Sequence, residues 1–436
     1  MSNPIFIARQ DTLEQEILPA HWLAQYKLFG EESYTFQDKE IWKKLCMSRA
    51  AANDRDMHAE ALEEMLTTFS AEHTGKWMLT VYGMDAAVLE GLASMAAIAA
   101  NGTAMAAVAG NALLMHAITN SETAMQAISR SQTAMQRIAN STTAMDAISG
   151  SKIARGAVQA SPYYNSYIKE NDMAIAKLVV GFANLESARY SGCAGMAADS
   201  TAMTAIAASS AAMTAIAVSA VAMNAIGGNS IARDAISASS YYDANIKEND
   251  MAIAKLVVGF ANLESARYSG CAGMAADSTA MTAVAASSTA MTAVAASGVA
   301  LQAIAQAYKK TANMLKFLQA VNASDTLVKR IYSTLTNATA LFGAAQLGSQ
   351  DSVENANSWA TTSAAPNAFL ACACGYYSSG NSVNVTYNGT VIAQKKTGTK
   401  QPGSVASTNV NAITMAPSTF TENGDGYLAV QKFTAK

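Results

Sequence analysis

The chain has little charge. Asp, Glu, Lys and Arg make up 14% of its 436 residues and the net charge is −3. Nothing in it resembles the basic stripe that neutralises a phosphate backbone, so nucleic acid is not an expected partner. Long apolar runs are also missing: hydrophobic residues reach 51%, yet Ser, Thr or Asn interrupts each apolar stretch before it reaches the ~20 residues of a membrane span. Membrane insertion is therefore not expected. Met1-Ser-Asn-Pro lacks the basic start and apolar core of a signal peptide. Cysteine is sparse and unpatterned, at positions 46, 193, 271, 372 and 374, which favours folding in a reducing compartment over a disulfide framework. Cys372 and Cys374 lack the usual zinc-knuckle spacing and fit two strand positions facing one side. No nucleophile elbow, metal-ligand pair or phosphate loop is present, and Gly83-Met-Asp and Gly181-Phe-Ala-Asn are not dinucleotide fingerprints. The expectation is a protein that is not an enzyme and holds no cofactor or metal.

What the chain has instead is one ten-residue sentence, repeated. Thr123-Ala-Met-Gln-Ala-Ile128 is followed by Thr133-Ala-Met-Gln-Arg-Ile138 and Thr143-Ala-Met-Asp-Ala-Ile148, and the same frame runs upstream to Met95 and downstream to Val158. Within a unit the Met and Ile stand three residues apart, on one face of a short helix. Between units the period fails, because ten residues at 3.6 per turn fall short of three full turns by roughly 80°. The helix must break in every unit. Asn120-Ser121, Asn140-Ser141 and Gly150-Ser151 follow the apolar pair, which predicts a helix that stops on a left-handed Gly or Asn and restarts on a Ser or Thr cap. Ala208-Ser209 and Ser129-Arg130-Ser131 lack Gly or Asn, so softer kinks are expected there.

The predicted core of the array is Met95, Ile98, Met105, Val108, Met115, Ile118, Met125, Ile128, Met135, Ile138, Met145 and Ile148. It continues with Met203, Ile206, Met213, Ile216, Met223 and Ile226, and then with Met281, Val284, Met291 and Val294. Burying one Met and one Ile is worth about 3 to 6 kcal/mol. Fixing ten backbones costs about 10 to 20 kcal/mol before hydrogen bonding is counted. No unit can stand alone, so units must stack on one another in a solenoid or against other copies of the chain. A one-layer array would leave an apolar strip exposed, which points to self-association.

Residues 168–205 recur unchanged as residues 246–283, 78 positions later. Before each copy stands a repeat with Arg in the Met position, Arg155 or Arg233, and then a Tyr pair. A buried Arg needs a partner, so each should end the stripe and bond a carboxylate or carbonyl. The expected organisation is a helical head over 1–85, a first array over 86–160, an insert with a second array over 161–238, their second copy over 239–305, longer helices over 306–350 and a β-rich tip over 351–436. The longer helices have apolar stripes wide enough to gather chains into a bundle. In the tip, Asn388-Gly389 between two alternating runs is a hairpin signature. The fold class is thus mainly α, a segmented shaft of ten-residue helical units between a helical head and a small β domain. Tyr376, Tyr377 and Tyr387, near Gly-rich loops, are the candidate receptor-contacting residues, since aromatic rings bury much area at low entropic cost.

An aromatic head, a shaft of Thr-Ala-Met-x-Ala-Ile units and a Gly-rich β tip together resemble a tail fibre or other appendage protein of a tailed bacteriophage. The resemblance implies a virion structural protein assembled in the host cytoplasm, homotrimeric, attached to other tail proteins at one end and presenting the other to a cell-surface receptor. A collar, connector or scaffold protein of the virion is the alternative, and a bacterial surface adhesin a third reading. The helical shaft departs from the β-structured shafts of many such fibres.

Overall fold

The computed structural model describes residues 94–307, 314–350, 367–376, 382–395, 404–423 and 426–436, with positions 88 and 92. The expected head over 1–85 and Tyr377 lie outside these residues. The chain divides into two compact units, Met1–Met196 and Ala197–Lys436.

In the first unit the array forms seven short helices: α1 (Met95–Ala100), α2 (Gly102–Gly110), α3 (Ala112–Asn120), α4 (Glu122–Ser129), α5 (Gln132–Ala139), α6 (Thr142–Gly150) and α7 (Lys152–Gln159). Each packs on the helix three places along: α4 on α1 and α7, α5 on α2, α6 on α3. Three units therefore complete one coil of a solenoid, and the axes of α2 and α3 meet at 98°. The second unit repeats the pattern, with bends of 103° between Ser200–Ala207 and Ser210–Val218 and 106° between Ser278–Ala286 and Ser288–Ala296.

The corners differ from the sequence expectation. No Gly or Asn at a junction is left-handed: among the described residues positive φ occurs only at Asn184, Asn262, Asn388 and Gly389. The cap residue makes the turn by itself, in extended backbone, as at Ser121 with φ −97° and ψ 117° and Ser151 with φ −105° and ψ 126°. Setting one ψ to the extended range redirects the chain without visiting the left-handed region. Ala208-Ser209 is accordingly no softer than the rest, at 103°.

Every residue of the predicted Met/Ile/Val core is buried, with Met95 the most accessible at 3%. Helices α2, α4, α5 and α6 each turn inward a four-residue face, Ala124, Met125, Ile128 and Ser129 in α4, which closes on the faces of the neighbouring helices. The apolar strip expected to drive association is consumed inside the coil. Among the described residues the exposed large hydrophobics are Ile153, Val218, Ile231 and Val391.

The duplicated segment contributes an eleven-residue helix in each copy, α8 (Asp172–Phe182) and α9 (Asp250–Phe260). Both end on a left-handed Asn, at Asn184 and Asn262, two residues past the helix. Leu185 N–H bonds Val180 O and Asn184 N–H bonds Gly181 O, closing the last turn in the Schellman manner.

Beyond the array, α10 (Met314–Asn322) and α11 (Asp325–Asn337) pack in the same chain, α10 against Ser278–Ala286 and α11 against Ser288–Ala296. The second unit then forms two antiparallel sheets. One has the order β1 (Phe342–Gln350), β7 (Gly426–Ala435), β2 (Ala368–Tyr376), β5 (Ala412–Met415). The other has β4 (Thr390–Lys395), β3 (Ser382–Tyr387), β6 (Thr419–Asn423). Strand β1 falls within the stretch assigned to longer helices. Its Gly, Ala and Gln residues carry weak strand propensity, and pairing from Phe342↔Ala435 to Gln350↔Leu428 creates it. The β3–β4 hairpin turns on Asn388 (φ 47°) and Gly389 (φ 75°), the two positive values of a type I′ turn. One hydrophobic core runs from Ile253 through Phe317 and Ile331 to Phe369 and Phe433, so the sheets share their interior with the last coils of the array.

Candidate functional site: stacked corners, module joints and the β region

A corner serine uses all of its polar atoms. In α5, Ser131 N–H bonds Ile128 O, its carbonyl accepts from Met135 N–H, and its Oγ accepts from Ala134 N–H at 3.2 Å. The same hydroxyl donates to Ala99 O, 32 residues back and one coil away, at 2.7 Å. Ser141 repeats this to Ala109 O at 2.6 Å, Ser161 to Ser129 O at 2.6 Å, and Ser151 to Thr119 O. Asn can do the same with its two amide atoms: Asn171 Oδ1 accepts from Ala174 N–H while Nδ2 donates to Ala139 O. In the second unit Ser239 bonds Ala207 O and Asn249 bonds Ala217 O. Ser and Asn each carry a donor and an acceptor, which this position needs in order to cap one helix and close the open end of another.

The long helices skip a corner, and the sequence compensates. By the 32-residue rule the carbonyl of Ser149 should meet a cap at position 181, but α8 runs straight through Gly181. A Cβ there would stand 2.5 Å from Ser149 O. That carbonyl is taken instead by Arg155 Nη1, whose guanidinium lies 5.7 Å from the Phe182 ring centroid. The second copy is the same: Gly259 Cβ would stand 2.2 Å from Gly227 O, which accepts from Arg233 Nη1 at 2.8 Å beside Phe260. The Arg in the Met position thus bonds a carbonyl, as expected of it, and specifically the one left over by the missing corner. Burial pulls both guanidinium pKa values down.

Each long helix also buries a lysine. Lys177 Nζ meets Asp146 Oδ1 at 2.6 Å and Ser187 O at 3.1 Å, and Ser187 Oγ donates to the same carboxylate oxygen at 2.7 Å. Lys255 makes the corresponding bonds to Asn224 Oδ1 at 2.5 Å and Ser265 O at 3.2 Å, with Tyr268 O at 3.1 Å.

Two of the three candidate tyrosines lie among the described residues of the β region. Tyr376 ends β2, opposite Gly426, and Tyr377 is outside the described residues. Tyr387 is 3% exposed, on the inward side of β3 with Val383 and Val385. It fills the core and is not an exposed contact residue. Its even spacing from two valines already carried that signal in the alternation of the strand. Cys372 and Cys374 are both buried on β2. Burial pushes the Cys372 thiol pKa well up and that of Cys374 up to about 12. Among the described residues no three His, Cys, Asp or Glu side chains converge as a metal site. No protein-family model matches the chain, and no curated protein matches it at a significant level.

Proposed function

We propose that the chain is a structural appendage protein of a tailed-phage virion, a tail fibre or close equivalent, in which the solenoid is a spacer and the β region a terminal element turned toward the host surface. The carrying observation is the stacked corner. Each coil closes its own core and offers the next coil the same set of carbonyls, so added sequence becomes added coils without redesign. Duplication of a 78-residue module with its Arg, Gly and Ser devices intact suits a part selected for length. The resemblance in layout to phage appendages supplies the setting, and a structural rather than catalytic role fits a chain built mostly of closed apolar coils. Antibody labelling of purified particles tests the reading: gold should decorate the tail or its appendages, and absence of the chain from intact virions would sink it. A particle whose chain lacks residues 351–436 separates fibre from connector. Loss of adsorption supports the fibre, and normal adsorption supports the connector, provided circular dichroism shows the array still folded, since the β region shares its core.

A further inference from the structure

Four strands border the two sheets, and three of them carry a guard against pairing with another chain. β5 has four residues and is followed by Ala416-Pro417, β4 ends on Lys395 and packs on α10, and β6 contains Glu422. β1, Phe342-Gly-Ala-Ala-Gln-Leu-Gly-Ser-Gln350, has no charged residue and no proline. Gly343, Ala344, Ala345 and Gln346 are all exposed. Because successive strand residues point to opposite faces, both faces of β1 are bare along this stretch.

The ladder fixes which main-chain groups of this edge point outward. Lys436 N–H donates to Leu341 O, and facing residues of an antiparallel pair alternate between exchanging bonds and not. Leu341, Gly343 and Ala345 therefore turn their main-chain groups toward β7, and Phe342, Ala344 and Gln346 turn theirs away from it. On the far side of β7, Ala435 N–H donates to Asn367 O, as the same alternation requires. Among the described residues no strand pairs with the outward side of β1. Phe342 N–H is taken by Ala338 O, which leaves its carbonyl, and a bulge between Gln346 and Gly348 ends the regular edge.

We propose that this edge pairs with the same edge of a second copy of the chain, antiparallel about a two-fold axis through Ala344. A two-fold axis sets one residue opposite its own copy, and that residue must have its main-chain groups outward; Ala344 is the middle one of the three that do. Ala344 N–H and C=O then exchange a pair of bonds with those of the other chain. Gln346 N–H of each chain donates to Phe342 O of the other, a second pair. In this register Gly343 stands opposite Ala345, so nothing larger than a methyl group lies beside the axis. A foreign strand is matched less well: strand-addition sites select peptides through pockets for alternate side chains, and Gly and Ala on both faces form none. The array does not supply the contact, since its Met/Ile/Val faces are closed inside the coil. The inference rests on the edge alone and goes beyond the appendage reading. With so few bonds and such small side chains, the dissociation constant should be on the order of tens of micromolar.

Sedimentation equilibrium of the full chain, from about 5 to about 500 µM, should show monomer and dimer in exchange. Ala344→Pro removes the outward N–H and leaves the bonds to β7 in place, because proline is tolerated where an edge N–H faces away from the ladder. Ala344→Lys sets two like charges across the axis. Each should weaken the dimer at least about tenfold with the circular dichroism spectrum unchanged, and the lysine variant decides the matter if proline disturbs the strand. Hydrogen exchange on the unsubstituted chain is an independent readout: the Ala344 amide should gain protection as concentration rises, while the Ala345 amide, bonded to β7, stays protected throughout. A monomer across the whole range, an assembly of three chains, or a dimer unchanged by Ala344→Lys would each overturn the proposal. So would Ala344 protection that does not vary with concentration, since the chain would then close the edge itself.

Discussion

The two copies of the module agree wherever a corner is bridged and disagree around one buried lysine. In both, an Arg bonds the carbonyl that the skipped corner leaves open, and a Gly lets the long helix lie directly against that carbonyl. Around the lysine, the array before the first copy supplies the Asp146 carboxylate and the array before the second supplies the Asn224 amide. The difference separates two kinds of constraint. Backbone carbonyls at the coil edge must be closed in a fixed geometry, while a buried ammonium accepts several arrangements of oxygen as long as enough are near.

That contrast can be attacked at its strongest point first. Gly181→Val and Gly259→Val force a side chain onto a backbone oxygen that cannot retreat, so each should cost about 4 kcal/mol or more, equally in the two modules. Urea unfolding followed by circular dichroism measures this, and a tolerated valine at either site would remove the close-approach argument. Next in size, Lys177→Met strands a partly buried carboxylate and should cost about 3 kcal/mol. Lys255→Met leaves an amide and carbonyls and should cost about 1 to 2 kcal/mol. Equal losses in the same experiment would mean that Asp146 adds nothing over Asn224. A smaller effect, about 1 to 2 kcal/mol, is expected for Ser141→Asp, which keeps an acceptor for Ala144 N–H but loses the donor to Ala109 O. Ser141→Asn should recover most of it, as Asn171 and Asn249 show that an amide can do both tasks.

The weakest discriminator is alkali, because it should affect both modules alike. Burial, with Glu170 nearby, pushes Tyr164 up to about 12, and burial with Asp243 and Glu248 does the same for Tyr242. Folded values above the ordinary value near 10 mean that the unfolded chain releases these protons first. Their contribution is intact below pH about 10 and falls as pH rises toward 12. Melting temperature across that window should drop less in a Tyr164→Phe, Tyr242→Phe double variant.

The sequence displayed the segmented array, the identity of its core and the Asn-Gly hairpin, because each depends on residues within one or two turns of each other. It also displayed that Arg155 and Arg233 need a partner. It hid which partner, since Ser149 O becomes an orphan only once α6 and α8 are stacked. The corner geometry is hidden for a local reason: Gly150 and Asn140 are good left-handed residues, and nothing nearby reveals that an extended Ser suffices. Strand β1 was hidden because its partner lies more than 70 residues away. A cleft lined by His116, Asp146 and Glu186 is hidden for the same reason, since two repeats and the loop after α8 bring these residues together.

The identity of residues 168–205 with 246–283 has a genetic consequence. If the coding DNA is as alike as the protein, the two stretches are substrates for homologous recombination, and unequal exchange between them removes or adds 78 residues in frame. Every junction so produced is one the chain already contains, with Arg, Gly and cap in register. Populations carrying this gene should therefore segregate folded length variants in steps of that one size, visible as a ladder when the locus is amplified. A spread of other sizes would mean that the protein does not filter the products.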